Sequence, residues 1–301
     1  MIVVPAFNEE RSIGECVRAL TAPSLRDTLS ASGVNDVAVY VVDDGSADRT
    51  DVLAKEAGAA KVIRHRVNRG LGAAVRSGLI SARHDGADLV VKFDADLQHD
   101  PADIPRIIAP LLSDEADLVY GNRFDRIEYR MPLIRAVGNR VFRQLMRWLT
   151  GWPLKDSQPG IFAISRTYLD VAHLPGDYNY TQQILLDAYL KDMRFHQVDV
   201  AFRERTTGKS FVSFKYPFRV LPQILLVLAA VKPMKIFLPA GGLAVGIAAV
   251  VAAVEVGLWA VGKGFARPIE HVNLVMGLGL FGIQLLFLGL IAELILMTRE
   301  R

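Results

Sequence analysis

Lys92-Phe93-Asp94-Ala95-Asp96-Leu97-Gln98-His99-Asp100 is the stretch on which the reading of the chain turns. It follows an apolar run, Ala87 to Val91, that reads as a buried strand, so Asp94 and Asp96 stand where a strand ends and a loop begins. Carboxylates one residue apart, with the amide oxygen of Gln98 two residues on, can converge on one hard divalent cation if the backbone turns there. Such a cation would neutralise a diphosphate. An isolated Asp-x-Asp after a strand is more often a solvated turn. The weight therefore falls on what surrounds it.

Upstream, Met1 to Val4 reads as a short strand stopped by Pro5, with Ala6-Phe7-Asn8-Glu9-Glu10 as the loop at its carboxyl end. Arg11 to Leu20 has helical spacing, with Ile13, Val17 and Leu20 on one face. Val37 to Val42 reads as a second strand ending in Asp43-Asp44-Gly45-Ser46. A helix over 48–57, a strand over 61–65 and a helix opened by Asn68-Arg69-Gly70-Leu71-Gly72 follow. This alternation predicts an α/β fold, a mainly parallel sheet with helices on both faces, and ligands lying outside the carboxyl ends of its strands. Every polar motif so far falls on that edge. Singly, Asn68-x-Gly-x-Gly is a tight helix start, and Asp43 to Ser46 a turn with a serine cap. Together, in this order, they say more.

Pro5-Ala6-Phe7-Asn8-Glu9-Glu10, Val42-Asp43-Asp44-Gly45-Ser46, Asn68-x-Gly-x-Gly-x-Ala and Asp94-Ala95-Asp96-Leu97-Gln98-His99 resemble, in sequence order, the inverting glycosyltransferase family 2, whose Rossmann-like fold is called GT-A. The Asp-Ala-Asp-Leu-Gln-His form resembles more narrowly the dolichol-phosphate mannose synthase and polyprenyl-phosphate glycosyltransferase branch. The resemblance covers about residues 1 to 215. It implies that Pro5, Phe7, Glu9, Val41 and Asp43 hold a nucleotide. It also implies that Asp94, Ala95, Asp96 and Gln98 meet the donor, with Asp94, Asp96 and Gln98 on a Mg2+ or Mn2+ ion. Phe7 stands where a tyrosine is common in the family, which keeps stacking and loses one hydroxyl contact.

Downstream, Ile104 to Leu112 reads as a helix and Ala116 to Tyr120 as a strand ending in Gly121-Asn122-Arg123, which resembles the family's Gly-Ser-Arg element and would turn Arg123 to the phosphates. Arginines 123, 126, 130, 135, 140, 143 and 147 are interleaved with Phe124, Leu133, Ile134, Val137, Phe142 and Met146. That pattern is an amphipathic helix, either solvated or at a membrane surface. At a membrane surface it would present Arg135 and, one turn on, Asn139 to a lipid phosphate. Gln144-Leu145-Met146-Arg147-Trp148 matches a signature of processive polysaccharide synthases, but no Glu-Asp pair precedes it, and we read the match as coincidence. Asp156 to Ile164 resembles the family's Asp-x-x-Ser-Gly-Phe segment, with Pro159 in place of the serine. Asp177 to Gln183 leads a helix near where other members carry an acidic base, and no glutamate stands there. A phosphate monoester is already largely ionised at neutral pH and needs none. A strand over 195–202 precedes Arg205, Gly208 and Ser210, which match the branch's Arg-x-x-Gly-x-Ser-Lys element; Phe211 replaces the final lysine and Lys209 is the nearest candidate to supply its charge.

The chain has 301 residues, enough for one ordinary domain and something smaller, and 51% of them are hydrophobic, an excess concentrated after residue 215. A net charge of +3 is too small to indicate nucleic acid. The single Cys16 excludes an intrachain disulfide framework and suits a cytoplasmic domain. Met1 to Val4 is too short an apolar run for a cleavable leader. Ile236 to Val261 and Val272 to Met297 each exceed the roughly 20 residues a helix needs to cross a bilayer. Glu255 and Glu293 are tolerable there if they face another helix or sit near an end. Phe218 to Val231, with Pro222 near its start and lysines flanking it, suits an interfacial helix. The basic residues lie before the first span and after the second, which places both termini in the cytoplasm.

The expected protein is thus a cytoplasmic GT-A domain over 1–214, an interfacial amphipathic helix over 215–233 and a two-helix transmembrane domain over 234–301. The resemblance implies transfer of a hexose, foremost mannose from GDP-mannose, from a nucleotide sugar to dolichyl or polyprenyl phosphate with inversion. Asp96, Arg123, Arg135 and Arg205 would carry catalysis. Arg123, Arg135, Asn139, Arg205 and Ser210 would bind the lipid phosphate. UDP-glucose or another UDP-sugar is the alternative donor, and an inactive membrane scaffold the alternative from another class. A homo-oligomer is neither required nor excluded.

Overall fold

The computed structural model describes residues 1–122, 140, 143–144, 146–156, 159–174, 180–202, 232–262 and 266–299. The chain forms two compact units, Met1–Val212 and Ser213–Arg301.

In the first unit seven strands form one sheet: β1 (Ile2–Ala6), β2 (Val39–Asp43), β3 (Lys61–Arg64), β4 (Leu89–Lys92), β5 (Leu118–Asn122), β6 (Phe162–Ser165) and β7 (Phe195–Asp199), in spatial order β3-β2-β1-β4-β6-β5-β7. β1, β2, β3 and β4 run parallel, with Val4 opposite Val41 and Ile2 opposite Val91. β6 is antiparallel to both its neighbours, β4 and β5, and β5 pairs parallel with β7. The sheet is therefore mixed but mainly parallel. The period of two along each strand sends alternate residues to opposite layers. Ile2, Val4, Val39, Val41, Val91, Phe93, Val119 and Ala163 join one core cluster. Its helical side comes from α1 (Ile13–Thr21), α2 (Pro23–Ala31), α3 (Thr50–Glu56) and α5 (Ile104–Leu112). Val3 and Val42 point the other way, to α4 (Leu71–His84), where a Cβ on Gly78 would lie 2.2 Å from Val3 Cγ1. Helices cover both faces.

Two helices, α6 (Arg166–Val171) and α7 (Tyr180–Leu190), follow β6, and Tyr168 ties them together by donating its hydroxyl to Ile184 O at 2.8 Å. The helix expected over 11–20 spans Ile13–Thr21, and α2, β6 and α6 are elements the sequence pattern did not announce. The strand expected to reach Phe202 stops at Asp199.

The second unit contains α8 (Met234–Ala260) and α9 (Val272–Arg299), each long and apolar enough to cross a membrane. At 27 residues α8 is about 40 Å long. The two pack closely where glycines meet: a Cβ on Gly282 would lie 2.8 Å from Gly241 O and 2.7 Å from Val245 Cγ2. Glu255 sits near the end of α8. Its Oε2 accepts from the backbone N–H of Glu270 (2.9 Å) and His271 (3.2 Å), and its Oε1 pairs with His271 Nδ1 at 2.6 Å. A carboxylate of one helix thus satisfies backbone donors at the start of the next, which explains an acidic residue in an apolar span. The interfacial helix expected over Phe218 to Val231 lies outside the described residues.

The contact at Gly78 gives a direct test of the layer assignment. Gly78→Ala is expected to destabilise the protein by about 1–3 kcal/mol through overpacking, read as an earlier denaturant midpoint with unchanged slope.

Candidate functional site at the carboxyl edge of the sheet

The parallel strands deliver their carboxyl ends to one edge, and the loops there are stitched to each other. Asp44 N donates to Ala6 O (2.9 Å), Asn8 N to Ser46 Oγ (2.9 Å), Ala47 N to Asn8 Oδ1 (2.9 Å) and Glu9 N to Thr50 Oγ1 (2.9 Å). These bonds lock the loop after β1 to the loop after β2. Asn8 adopts φ 54°, a left-handed conformation asparagine tolerates. Phe7, 37% exposed, is left at the surface of the edge, where an aromatic face is available for stacking.

The paired aspartates after β2 have separate partners. Asp43 is fully buried: its Oδ1 accepts from Ser46 N at 3.0 Å and its Oδ2 lies 3.3 Å from Arg64 Nε, while Arg64 also meets Asp51 at 2.8 Å. Asp44 accepts from the backbone N–H of Arg69 (3.0 Å) and Gly70 (2.7 Å), and its Oδ1 pairs with His65 Nδ1 at 2.6 Å. The other ring nitrogen of His65 meets Ser77 Oγ at 2.9 Å. Asp44 therefore fixes the Asn68-x-Gly-x-Gly turn against β2, and Gly45 (φ 74°) lets the loops approach: a Cβ there would come within 2.6 Å of Val67 C. Pro5, Val41 and Ala95 are buried, and Val41 lies in the ladder between β1 and β3. Val41 and Ala95 belong to the core cluster.

At the end of β4 the chain turns sharply. Asp96 Oδ1 accepts from Gln98 N at 3.2 Å, and Leu97 sits at φ 61°. A leucine in the left-handed region carries strain of order 1 kcal/mol and persists where surrounding contacts impose it. Asp94, Asp96 and Gln98 each keep a part of their surface in solvent. Asp94, Asp96 and Glu9 all bear on the thiol of Cys16, which burial and then these carboxylates push well above the ordinary cysteine range. That shift marks a concentration of negative charge drawn from both loops. Lys92, with no exposed side-chain surface, donates from Nζ to Asp94 Oδ1 at 2.5 Å and to Gly160 O at 2.7 Å. Burial alone would lower the ammonium's pKa, but Asp94 and Tyr180 together more than offset it, so Lys92 stays charged. A Cβ on Gly160 would lie 2.7 Å from Asp94 Oδ2 and 2.2 Å from His99 Nε2. The missing side chain is what lets His99 and Asp94 Oδ2 pack this closely against the backbone at Gly160. His99 is buried, its ring centroid 6.1 Å from that of Phe93 and 5.2 Å from that of Phe202.

This donor set suits a hard divalent cation shared with a ligand. Among the described residues no three His, Cys, Asp or Glu side chains form a complete cage. Two carboxylates and an amide oxygen on one partly exposed turn are what Mg2+ or Mn2+ needs when diphosphate oxygens and water complete its shell. Arg123, Arg135, Asn139, Arg205 and Ser210 lie outside the described residues, as do Asp177, Lys209 and Phe211. Asn122, next to Arg123, is fully buried and donates to Asp199 Oδ1 at 2.7 Å. Arg147, from the processive-synthase look-alike, donates to Leu154 O at 2.6 Å, a structural tie. Sequence reasoning gave no role to Lys92, Asp44, His65 or Gly160. A lysine following Val90-Val91 in a strand of the core was the available signal for the first.

A family model described as "Glycosyl transferase family 2" matches residues 1–171. A UDP-N-acetylglucosamine–dolichyl-phosphate N-acetylglucosaminyltransferase of Methanococcus voltae is 34% identical over 56% of this chain and 70% of its own. A dodecaprenyl-phosphate galacturonate synthase of Rhizobium johnstonii is 27% identical over 100% of this chain and 88% of its own. Among solved structures, glucosyl-3-phosphoglycerate synthase of Mycobacterium tuberculosis matches with a TM-score of 0.57 at 25% identity, over 76% of this chain and 78% of that one. Another structure of that enzyme, with Mn2+, UDP-glucose and phosphoglyceric acid, matches with a TM-score of 0.56 at 24% identity.

The close packing at Gly160 has a specific consequence. Gly160→Ala must displace Asp94 or His99, so cation binding followed by calorimetry is expected to weaken about tenfold or more, with a stability loss of about 1–3 kcal/mol.

Proposed function

The chain belongs to glycosyl transferase family 2, and from that premise we propose that it transfers a hexose from a nucleotide sugar to a polyprenyl phosphate, inverting the anomeric carbon. The observation that carries the reading is the turn after β4, where Asp94 and Asp96 keep part of their surface in solvent at the carboxyl edge. Phe7 and Glu9, on the neighbouring loop, would meet the nucleotide. Asp43 would act by holding Ser46 and Arg64 in place. Asp94 Oδ2, Asp96 and Gln98 would hold Mg2+ or Mn2+, and the chemistry that ion supplies is neutralisation of the leaving nucleoside diphosphate. Arg123 and Arg205 would add positive charge to the same group. Arg135, Asn139 and Ser210 would orient the acceptor phosphate for in-line attack.

An acceptor that arrives ionised explains the economy of the arrangement. The described first turn of α7 offers Tyr180, Thr181, Gln182 and Gln183, none of them a carboxylate. Catalysis then rests on positioning and charge, which together supply the larger part of such rate enhancements. The two apolar helices support a membrane location, and the basic residues flanking them support a cytoplasmic catalytic unit with both termini on that side. Keeping the site at the bilayer keeps it where the isoprenoid tail resides. The relatives named for lipid-phosphate sugar transfer support this acceptor class.

Mannose from GDP-mannose is the first donor we propose, on the Asp-Ala-Asp-Leu-Gln-His form of the turn. A UDP-sugar is the second, favoured by the 34% identical relative named for UDP-N-acetylglucosamine. The full chain in detergent, given labelled GDP-mannose, UDP-glucose or UDP-N-acetylglucosamine with a short polyprenyl phosphate and Mn2+, is expected to place label in the lipid with one of them. Asp96→Ala should lower that transfer about 100-fold or more. Nucleotide binding without transfer from any donor would instead favour the scaffold.

A further inference from the structure

A lysine with no exposed side-chain surface is rare unless its charge has work to do. Lys92 is such a residue, and its position is specific. It is the last residue of β4, two before Asp94, and its ammonium reaches Asp94 Oδ1 at 2.5 Å and Gly160 O at 2.7 Å. The ammonium also lies 5.7 Å from the centroid of the Tyr180 ring, in the first turn of α7. One cation thus joins three pieces of chain: the acidic turn, the segment entering β6, and α7. Asp94 is a quarter exposed (25%), so the pair lies at the boundary between core and edge.

Two consequences follow from elementary electrostatics. With Oδ1 engaged by the ammonium, Asp94 is held in a fixed orientation, and the oxygen left for a ligand is Oδ2, packed beside Gly160. The ammonium also places a permanent positive charge behind the position where a cation would bind. At an effective dielectric constant of about 20, a unit charge and a divalent cation about 5 Å apart oppose each other by on the order of 10^5-fold in affinity. Water-like screening at the solvent-exposed turn, with a dielectric constant of about 80, reduces this to about tenfold. A diphosphate, carrying negative charge to the front of the site, reverses the balance.

We propose that Lys92 is a positioning residue that fixes the orientation of Asp94 and makes cation binding depend on the arrival of a nucleoside diphosphate. The site then holds metal in earnest only when a donor is present, so an empty enzyme does not sequester the cation. This rests on the donor-site reading above. Lys92 touches neither donor nor acceptor; it acts through Asp94.

The test is direct Mn2+ binding, by the loss of the free-ion electron paramagnetic resonance signal, to the full chain in detergent with and without UDP or GDP. Wild-type protein is expected to bind Mn2+ at least about tenfold more tightly with one of the nucleotides than alone. Lys92→Met is expected to tighten nucleotide-free binding about tenfold while lowering kcat, a gain that damage to the fold would not produce. Lys92→Arg, which keeps the charge, should keep nucleotide-free binding weak. A folded Lys92→Met protein with wild-type nucleotide-free affinity overturns the proposal. If that variant fails to fold, the wild-type comparison decides: equal Mn2+ affinity with and without nucleotide overturns it. Mn2+ binding absent under every condition removes the donor-site reading itself.

Discussion

A parallel sheet gathers the carboxyl ends of its strands on one edge, and in this protein that edge carries a density of aspartate that packing alone would not tolerate. Asp43, Asp44, Asp94 and Asp96 stand at or just after the ends of the two strands that flank β1. Burying a carboxylate without compensation costs several kcal/mol, so each must find a donor or a cation. Asp43 has Arg64, Asp44 has His65 and two backbone N–H groups, and Asp94 has Lys92. Asp96 accepts from the backbone of its own turn. These partners are also what give the loops their shape. The same charge that makes the edge expensive to build makes it attractive to a divalent cation and its diphosphate.

That compensation divides the aspartates by task. The pair after β2 faces inward and acts as scaffold, fixing the glycine turn and the entrance to α3 and α4. The pair after β4 keeps surface in solvent. The difference arises from register: β2 is flanked on both sides by parallel neighbours, whereas β4 pairs on its far side with a reversed strand. The approach to β6 therefore comes from the edge itself, bringing Gly160 and its carbonyl to Lys92 and Asp94. A fully parallel arrangement would have no chain at that point to hold the lysine.

Much of this is legible in the sequence. The period-two strands and intervening helices give the parallel half of the sheet, and the motifs at strand ends give the edge. What was illegible has physical reasons. Phe162-Ala163-Ile164-Ser165 is four residues long, too short for periodicity to separate from a buried turn, and its direction is set by tertiary pairing. Pro23 opens α2, a stretch in which Leu25 and Leu29 are the buried apolar residues, so the amphipathic signal is thin. Asp43 and Asp44 are adjacent and chemically identical, and only the direction of the backbone sends one to Arg64 and the other to His65. Lys92 was visible as a charge at the end of an apolar strand, but its partner at Gly160 is 68 residues away. In the second unit, Glu255 looked like an interruption and is a cap for the following helix.

The account stands or falls on whether the cation and diphosphate lie at the turn after β4. Anomalous diffraction from crystals of the full chain grown with Mn2+ and a nucleoside diphosphate measures this directly. The account predicts one manganese peak at coordination distance, about 2.0–2.5 Å, from an Asp96 carboxylate oxygen, with phosphate oxygens completing its shell. A manganese bound with the diphosphate elsewhere, its coordination free of both Asp94 and Asp96, would contradict it.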